Sequence, residues 1–166
     1  MSERLSAGTG QAIVATRDAL ANIERWNPLV NAMITVTADR AIRQAETLDE
    51  AVRDGAWPGV LYGLTVNLKD NIDLAGVATT AASKILKDNV PARHAFVTER
   101  LEHNGAVIVG KANLHEWVFG PTSQSRHFEQ VRKPWNPEHI PVGCSGGSGS
   151  SVACGRATVY IGSDTA

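Results

Sequence analysis

Apolar residues recur at helical spacing in three stretches of the chain, and each stretch predicts an amphipathic helix. The stretches are residues 9–26, 38–53 and 95–104. Thr9 and Thr37 stand where N-capping side chains are favoured at the start of the first two helices. The Asn27-Pro28 pair predicts the end of the first helix, because proline disfavours helical backbone in the residue before it. Gly105 predicts the end of the third.

Shorter apolar runs between these helices predict strands. The clearest is residues 64–69, in which every second residue is apolar: Leu64, Val66 and Leu68. We expect the polar face of this strand to carry Lys69 at its end, together with Asn67 and Asp70. Residues 32–36, 106–109 and 158–162 are three further strand candidates. Strands that alternate with helices favour an α/β domain.

Glycine and serine dominate residues 141–151, which read P-V-G-C-S-G-G-S-G-S-S. Such a run lets backbone approach a ligand or another backbone closely. A flexible linker is the simpler alternative, since runs of this composition are common connectors. Before the run, residues 121–141 show little periodicity and are expected to be loop, and a short helix is expected within residues 148–155.

The glycine-serine run fits two known catalytic motifs only in part. Residues 143–147 match a nucleophile elbow centred on Ser145, but Pro141 stands where that motif needs a strand, and all five histidines precede Ser145. A phosphate-binding loop would need Gly-Lys-Ser/Thr at the end of the run, and the sequence lacks it. Without a Cys-x-x-Cys or a histidine pair at i, i+4, we expect no metal site.

The composition is that of an ordinary globular protein, with 166 residues of which 43% are hydrophobic and 20% charged. A net charge of −1 gives no electrostatic reason to expect nucleic acid or an anionic membrane as a partner. The first residues lack the apolar core of a secretory signal, and Cys144 and Cys154 do not make a disulfide framework. We therefore expect a cytoplasmic protein.

After these exclusions, Lys69 is the remaining candidate for a catalytic residue. A lysine at a strand end is most often a surface charge. Lys69, however, shares a predicted polar face with other polar residues, in a chain that also carries a serine-rich loop. A lysine amine acts as a general base only in its neutral form, which desolvation or a nearby cation favours. The residue types are therefore compatible with a Ser–Lys hydrolase, and the alternative is that Lys69 is an ordinary surface lysine.

Four segments of the chain resemble the amidase signature family in order and spacing. They are G-L-T-V-N-L-K-D-N-I-D-L-A-G-V-A-T-T at 63–80, G-K-A-N-L-H-E-W at 110–117, P-W-N-P-E-H-I-P-V-G-C-S-G-G-S-G-S-S-V-A at 134–153 and G-S-D-T at 162–165. The family includes amidases, peptide amidases and the glutaminase subunit of tRNA-dependent amidotransferases. The resemblance implies its fold, a mixed central sheet covered by helices, and hydrolysis of carboxylic amide C–N bonds through an acyl-enzyme.

The resemblance also implies a Ser–cis-Ser–Lys triad and a set of substrate-binding residues. Lys69 matches the lysine and Cys144 the bridging serine, with Ser145 beside it as a partial substitute. The residues that match the acyl-pocket segment are Val118, Phe119 and Gly120, and the oxyanion-hole amides are expected around Thr165 and Ala166. We expect a small-molecule amide as substrate, no cofactor, and neither nucleic acid nor membrane as partner, and we leave a homodimer open.

Two departures from the family pattern affect the expected activity. The nucleophilic serine should fall at position 168, beyond Ala166. We therefore expect residues 1–166 to be the N-terminal portion of a single amidase signature domain, truncated just before that serine and inactive alone. Cys144 also replaces the bridging serine, and a thiol is a weaker hydrogen-bond donor and acceptor than a hydroxyl. The family pattern further predicts a cis peptide bond between Gly143 and Cys144.

Two other functions stay open on the sequence alone. The rival within the family is a glutaminase or amidotransferase A-type subunit. Residues 114–124, L-H-E-W-V-F-G-P-T-S-Q, depart from the M-D-E-F-A-M-G-S-S-T-E of those subunits and favour a stand-alone amidase. The rival outside the family's chemistry is a non-catalytic binding or scaffold domain that uses its glycine-serine loop to capture a ligand.

Overall fold

The structure, a computed structural model, describes residues 10–141, 143–155 and 157–164. In chain order, the helices and strands are α1 (Gln11–Val30), β1 (Met33–Val36), α2 (Ala38–Arg53), β2 (Thr65–Lys69), α3 (Phe96–His103), β3 (Val107–Ala112), α4 (Gly146–Ala153) and β4 (Val159–Ile161). Two short 3₁₀ turns, Lys84–Leu86 and Glu116–Val118, lie in the long connections. Strands and helices thus alternate through much of the described chain, as the hydrophobic pattern predicts.

The four strands form one mixed sheet in the order β1-β3-β2-β4. Strand β1 pairs antiparallel with β3, whereas β2 runs parallel to both β3 and β4. This confirms the α/β class and the mixed central sheet. The carboxyl ends of β2 and β3 lie side by side, with Lys69 opposite Ala112, so residues that follow the two strands meet at one edge.

The sheet separates two apolar clusters. On one face, α1 and α2 pack against β3 through small residues that let the helices approach closely, among them Ala12, Ala19, Ala41 and Ala45. On the other face, Val66, Leu68 and Ile108 pack with residues from the connections and from α3. Strand β2 is buried along its whole length, which explains why its polar residues cannot reach solvent.

Several element boundaries differ from the sequence prediction, and three of these differences have a clear structural basis. Helix α1 continues through Pro28 to Val30 and ends where Asn31 turns left-handed and donates its N–H to Asn27 O at 2.8 Å. Strand β3 extends to Ala112, beyond the predicted end at residue 109, because both β1 and β2 pair with its second half. Helix α4 begins at Gly146 and so includes two glycines that lie before the predicted helix.

The helix caps also differ from the prediction. Thr9 lies outside the described residues, and Gly10 occupies the N-cap position of α1. The first amides of α1 bond instead to the buried carboxylate of Asp49 in α2, which accepts from Ala12 N and Ile13 N at 3.0 Å each. The Thr37 hydroxyl makes no cap bond and donates to Ile108 O at 3.1 Å. Interactions between elements have replaced both local caps.

Tyr62 completes the contact between α1 and α2. Its hydroxyl donates to Asp49 Oδ1, the oxygen that also accepts from Ala12 N. Burial, followed by the hydrogen bond and the negative charge of Asp49, raises the pKa of Tyr62 to about 12.

In the described part of the chain, no helix is both long enough and apolar enough to span a membrane.

Candidate functional site

Lys69 lies at the end of β2, on the face that α4 covers. Its side chain is fully buried, and so is that of Asn67 two residues earlier. Asn67 Nδ2 donates to Ser151 Oγ of α4 at 2.6 Å. The polar face predicted from the alternation is therefore an internal contact between the strand and the glycine-serine segment, and the surface-lysine alternative is wrong.

The glycine-serine segment is a packed helix, which overturns the flexible-linker alternative. Its first glycines lie against other backbone and side-chain atoms: a Cβ on Gly147 would be 2.1 Å from Asn113 O, and one on Gly146 would be 2.1 Å from Ser123 Oγ. At such distances a side chain at either position would force the helix or its neighbours to shift. The glycines let the start of α4 pack against the residues that follow β3, which brings the turn before α4 close to Lys69.

Lys69 and Cys144 meet in this arrangement. Lys69 Nζ lies 3.0 Å from Cys144 Sγ. Within the described residues, Nζ also donates to two atoms of Ser163, the backbone oxygen at 2.8 Å and Oγ at 3.1 Å. Ser145 Oγ also donates to Ser163 O, at 3.0 Å. The structure therefore brings together the three residues that sequence reasoning selected, and Ser163 contacts all of them.

The turn that carries Cys144 is built without the expected cis peptide bond. No peptide bond in the described residues is cis, so the prediction for Gly143–Cys144 is wrong. Gly143 instead turns the chain with a φ of 102°, a conformation that glycine adopts without steric cost. Ser123 holds the turn, since its Oγ donates to Gly143 O and accepts from Gly146 N at 2.9 Å.

The expected substrate-binding residues fall into two groups. The segment of Val118, Phe119 and Gly120 follows His115, whose backbone N–H donates to Cys144 O at 3.2 Å, so it begins next to the site. Phe119 is 81% exposed, so its ring is not part of a packed core. Thr165 and Ala166, expected at the oxyanion hole, lie outside the described residues.

Sequence reasoning missed three polar residues near Lys69. Ser163 received no role, although it lies in the G-S-D-T segment, and Asn71 donates from Nδ2 to Ser163 Oγ at 3.1 Å. The alternation of Asn67, Lys69 and Asn71 was the available signal for Asn71. Lys111 was also missed. It pairs with Asp70, which lies on the opposite face of β2 from Lys69, and this corrects the expected polar face.

Two alternatives raised by the sequence bear on the same segment. The described residues 137–141 form no strand before Gly143, so the strand that a nucleophile elbow around Ser145 requires is missing there. Within the described residues, no three His, Cys, Asp or Glu side chains group in a way that could hold a metal ion. The absence of a metal or cofactor stays a prediction.

Comparisons with known proteins agree on one family. A family model described as Amidase matches residues 14–166. The A subunit of glutamyl-tRNA(Gln) amidotransferase from Carboxydothermus hydrogenoformans is 39% identical over 99% of this chain. The chain spans about a third of that relative, 34% of its length.

Two solved structures share the fold at comparable identity. The native peptide amidase from Stenotrophomonas maltophilia superposes with a TM-score of 0.87 and is 35% identical, over 96% of this chain and 34% of that one. The A subunit of glutamyl-tRNA(Gln) amidotransferase from Thermotoga maritima gives a TM-score of 0.75 at 30% identity, over 91% of this chain and 30% of that one. The likeness thus extends to both a hydrolase and an amidotransferase component.

Proposed function

Because the chain belongs to the amidase signature family, we propose that it supplies the base and the bridging residue of an amidase. The reaction is hydrolysis of a carboxylic amide C–N bond through an acyl-enzyme. The observation that supports this most directly is the 3.0 Å contact between Lys69 Nζ and Cys144 Sγ, made by a lysine that is fully buried. A buried lysine whose amine contacts a thiol and the oxygens of a serine suits a proton acceptor better than an ion-pair partner.

In the proposed reaction Lys69 accepts a proton, which requires the neutral form of its amine. A neutral amine has two N–H donors and one lone pair. The backbone oxygen and Oγ of Ser163, at 2.8 and 3.1 Å, can accept those two N–H bonds. In the structure Cys144 Sγ accepts from Nζ, and the thiol donates to Ser163 O at 3.3 Å. Ser163 therefore contacts both the amine and the thiol, and in this proposal the thiol turns its S–H toward Nζ for the proton transfer.

The proposed proton path runs from a serine hydroxyl through Cys144 to Lys69. The serine, expected at position 168, gives its proton to Cys144 Sγ as it attacks the amide carbonyl, and the Cys144 S–H proton passes to Lys69 Nζ. Backbone N–H groups around Thr165 and Ala166 stabilise the oxyanion, an effect for which each donor typically contributes about 10²–10³ in rate. The proton returns to the leaving amine, and water releases the acyl group. Residues 1–166 in this proposal form the N-terminal portion of the amidase domain.

An amidotransferase A-type subunit is the second candidate. The relative from Carboxydothermus hydrogenoformans favours it, because its similarity covers 99% of this chain. The departures in residues 114–124 favour a stand-alone amidase, as does the higher TM-score of the peptide amidase, 0.87 against 0.75. Glutamine as the preferred amide would identify the amidotransferase, whereas preference for other carboxylic amides would identify the amidase.

The test uses the full-length chain that contains these residues, assayed for ammonia release from glutamine, acetamide, hexanamide and a peptide amide. Lys69→Met removes the base and keeps the length of the side chain. We expect its kcat to fall by about 10²–10⁴, the usual contribution of a general base. Lys87→Met, at an exposed lysine, is the matched control and should leave kcat unchanged.

Circular dichroism and thermal melts show whether both variants fold. A folded Lys69→Met variant that hydrolyses amides at the rate of the parent protein would remove lysine from the mechanism. No hydrolysis of any of the four amides by the full-length parent would remove the enzyme function and leave a binding domain.

A further inference from the structure

A second buried lysine, Lys111, lies near the site and has no role in the proposed proton path. Its Nζ lies 2.9 Å from Asp70 Oδ1, and both side chains have no exposed surface. Asp70 directly follows Lys69. Lys111 is the register partner of Leu68, and side chains alternate along β2, so the pair lies on the opposite face of the sheet from Lys69. The end of β2 thus carries two buried lysine sites, one on each face.

The Asp70–Lys111 pair holds the loop of residues 78–82. Asp70 Oδ2 accepts from both Thr80 N, at 3.0 Å, and Thr80 Oγ1. Lys111 Nζ donates to Thr79 Oγ1 at 2.9 Å and to Ala78 O at 3.3 Å. The backbone of Asp70 adds a further bond, accepting from Ala81 N at 2.9 Å. The two charges are therefore satisfied largely by this loop.

The same loop contacts the segment expected to bind the acyl group. Trp117 N donates to Ala81 O at 2.9 Å. Ala81 and Ala82 have φ of 49° and 53°, and Trp117 and Val118 have φ of 59° and 63°. These are left-handed conformations that non-glycine residues rarely adopt and that persist only where the surroundings hold them. Four such residues lie in these two segments, which the Trp117 N–Ala81 O hydrogen bond links, and Ser125 Oγ also donates to Ala82 O at 2.7 Å.

We propose that Asp70 and Lys111 are positioning residues, which fix the loop of residues 78–82 and through it hold Trp117 and Val118 in the geometry that shapes the acyl-binding side of the site. The expected effect of the pair on substrate selectivity rests on the proposed function, whereas its expected effect on the backbone does not. A buried ion pair by itself adds little stability, because desolvation offsets the attraction. An apolar pair, however, could not make the hydrogen bonds that Asp70 and Lys111 make to the loop.

The test removes both charges together in the full-length protein, as Asp70→Leu/Lys111→Met, so that no unpaired charge stays buried. The matched control is Arg40→Met/Glu102→Leu, which removes a less buried ion pair of 2.8 Å that joins α2 to α3. Thr79→Val/Thr80→Val is a milder second variant. It keeps the ion pair and its bonds to Thr80 N and Ala78 O, and it removes the two threonine hydroxyls, of which Thr80 Oγ1 also accepts from Ala82 N at 3.1 Å.

The first readout is hydrogen exchange at the Trp117 amide. In the variant without the ion pair we expect exchange at least about tenfold faster than in the parent, because local opening no longer has to break the anchored loop. The control should exchange at the parent rate at this amide. The threonine variant should fall between them. Parent-like protection of Trp117 in both test variants would overturn the proposal, and it would do so whether or not the protein hydrolyses amides.

The second readout is acyl-chain selectivity, which a general loss of stability does not change. We expect kcat/KM for hexanamide to fall about 10–100-fold and that for acetamide by less than about threefold, because the longer acyl group depends on the placement of Val118 and its neighbours. Equal losses for both amides would overturn the positioning role. If the parent hydrolyses neither amide, the proposed function fails, while faster exchange at Trp117 would still support the anchoring of the segment.

Discussion

Gly147→Ala tests whether close packing of α4 against β3 sets the geometry of the site. An alanine Cβ at this position would lie 2.1 Å from Asn113 O and 2.6 Å from Ala32 O. Both atoms are backbone oxygens engaged in hydrogen bonds, so neither can rotate away. Helix α4 would therefore have to retreat from β3 by about 1 Å to reach an ordinary contact distance.

The expected change in stability follows from that clash. Inserting one carbon into a rigid, well-packed contact typically destabilises a protein by about 1–3 kcal/mol. Gly149→Ala is the matched control, because it lies in the same helix and a Cβ there meets nothing within 4 Å. At that position alanine should stabilise the helix by about 0.5–1 kcal/mol, the usual gain over glycine. The two substitutions should therefore differ by roughly 1.5–4 kcal/mol in unfolding free energy.

Thermal melts and kinetics on the full-length protein measure both consequences. About 1 kcal/mol corresponds to about 2–4 °C for a domain of about 150–250 residues and to less for a longer one, so Gly147→Ala should melt below the parent and Gly149→Ala at or above it. Since Cys144 lies two residues before α4, a retreat of the helix by about 1 Å should also lower kcat by about 10²-fold. Equal melting temperatures for the two variants would refute the packing argument.

Two further predictions concern the thiol and the pH dependence of stability. Cys144→Ser should raise kcat of the full-length enzyme, because a hydroxyl relays a proton through stronger hydrogen bonds than a thiol; a lower kcat in steady-state assays would show that the thiol has a role of its own. The pKa of Tyr62 is raised to about 12 from an ordinary value of 10.0, so its contribution to stability is complete below pH 10 and is lost as the pH rises through about 12. Urea unfolding between pH 9 and 12 should show this loss in the parent and a smaller one in Tyr62→Phe; identical pH profiles would contradict the assigned contact with Asp49.

Much of the secondary structure was predictable because it follows from local patterns. The alternation in residues 64–69 predicted strand β2, and helix α2 begins and ends where its apolar stripe predicts. The local rules failed where a distant residue supplied the same interaction. Asp49 caps α1 from another helix, and Thr37 bonds to Ile108 instead of its own helix. A side chain bonds to whichever partner tertiary packing brings within reach, and sequence spacing does not contain that information.

The candidate site also divides into residues that could be selected from the sequence and contacts that only the structure revealed. The resemblance to the amidase signature family selected Lys69 and Cys144, and the alternation in β2 placed Lys69 on the face opposite Leu68. Only the tertiary structure showed that α4 covers that face, that Ser163 contacts the amine, and that Asp70 lies on the other face and pairs with Lys111. The reason is physical. Chain order and periodicity fix which residues share a strand face, whereas contacts across 75 or 94 positions depend on how the helices and strands pack around the sheet.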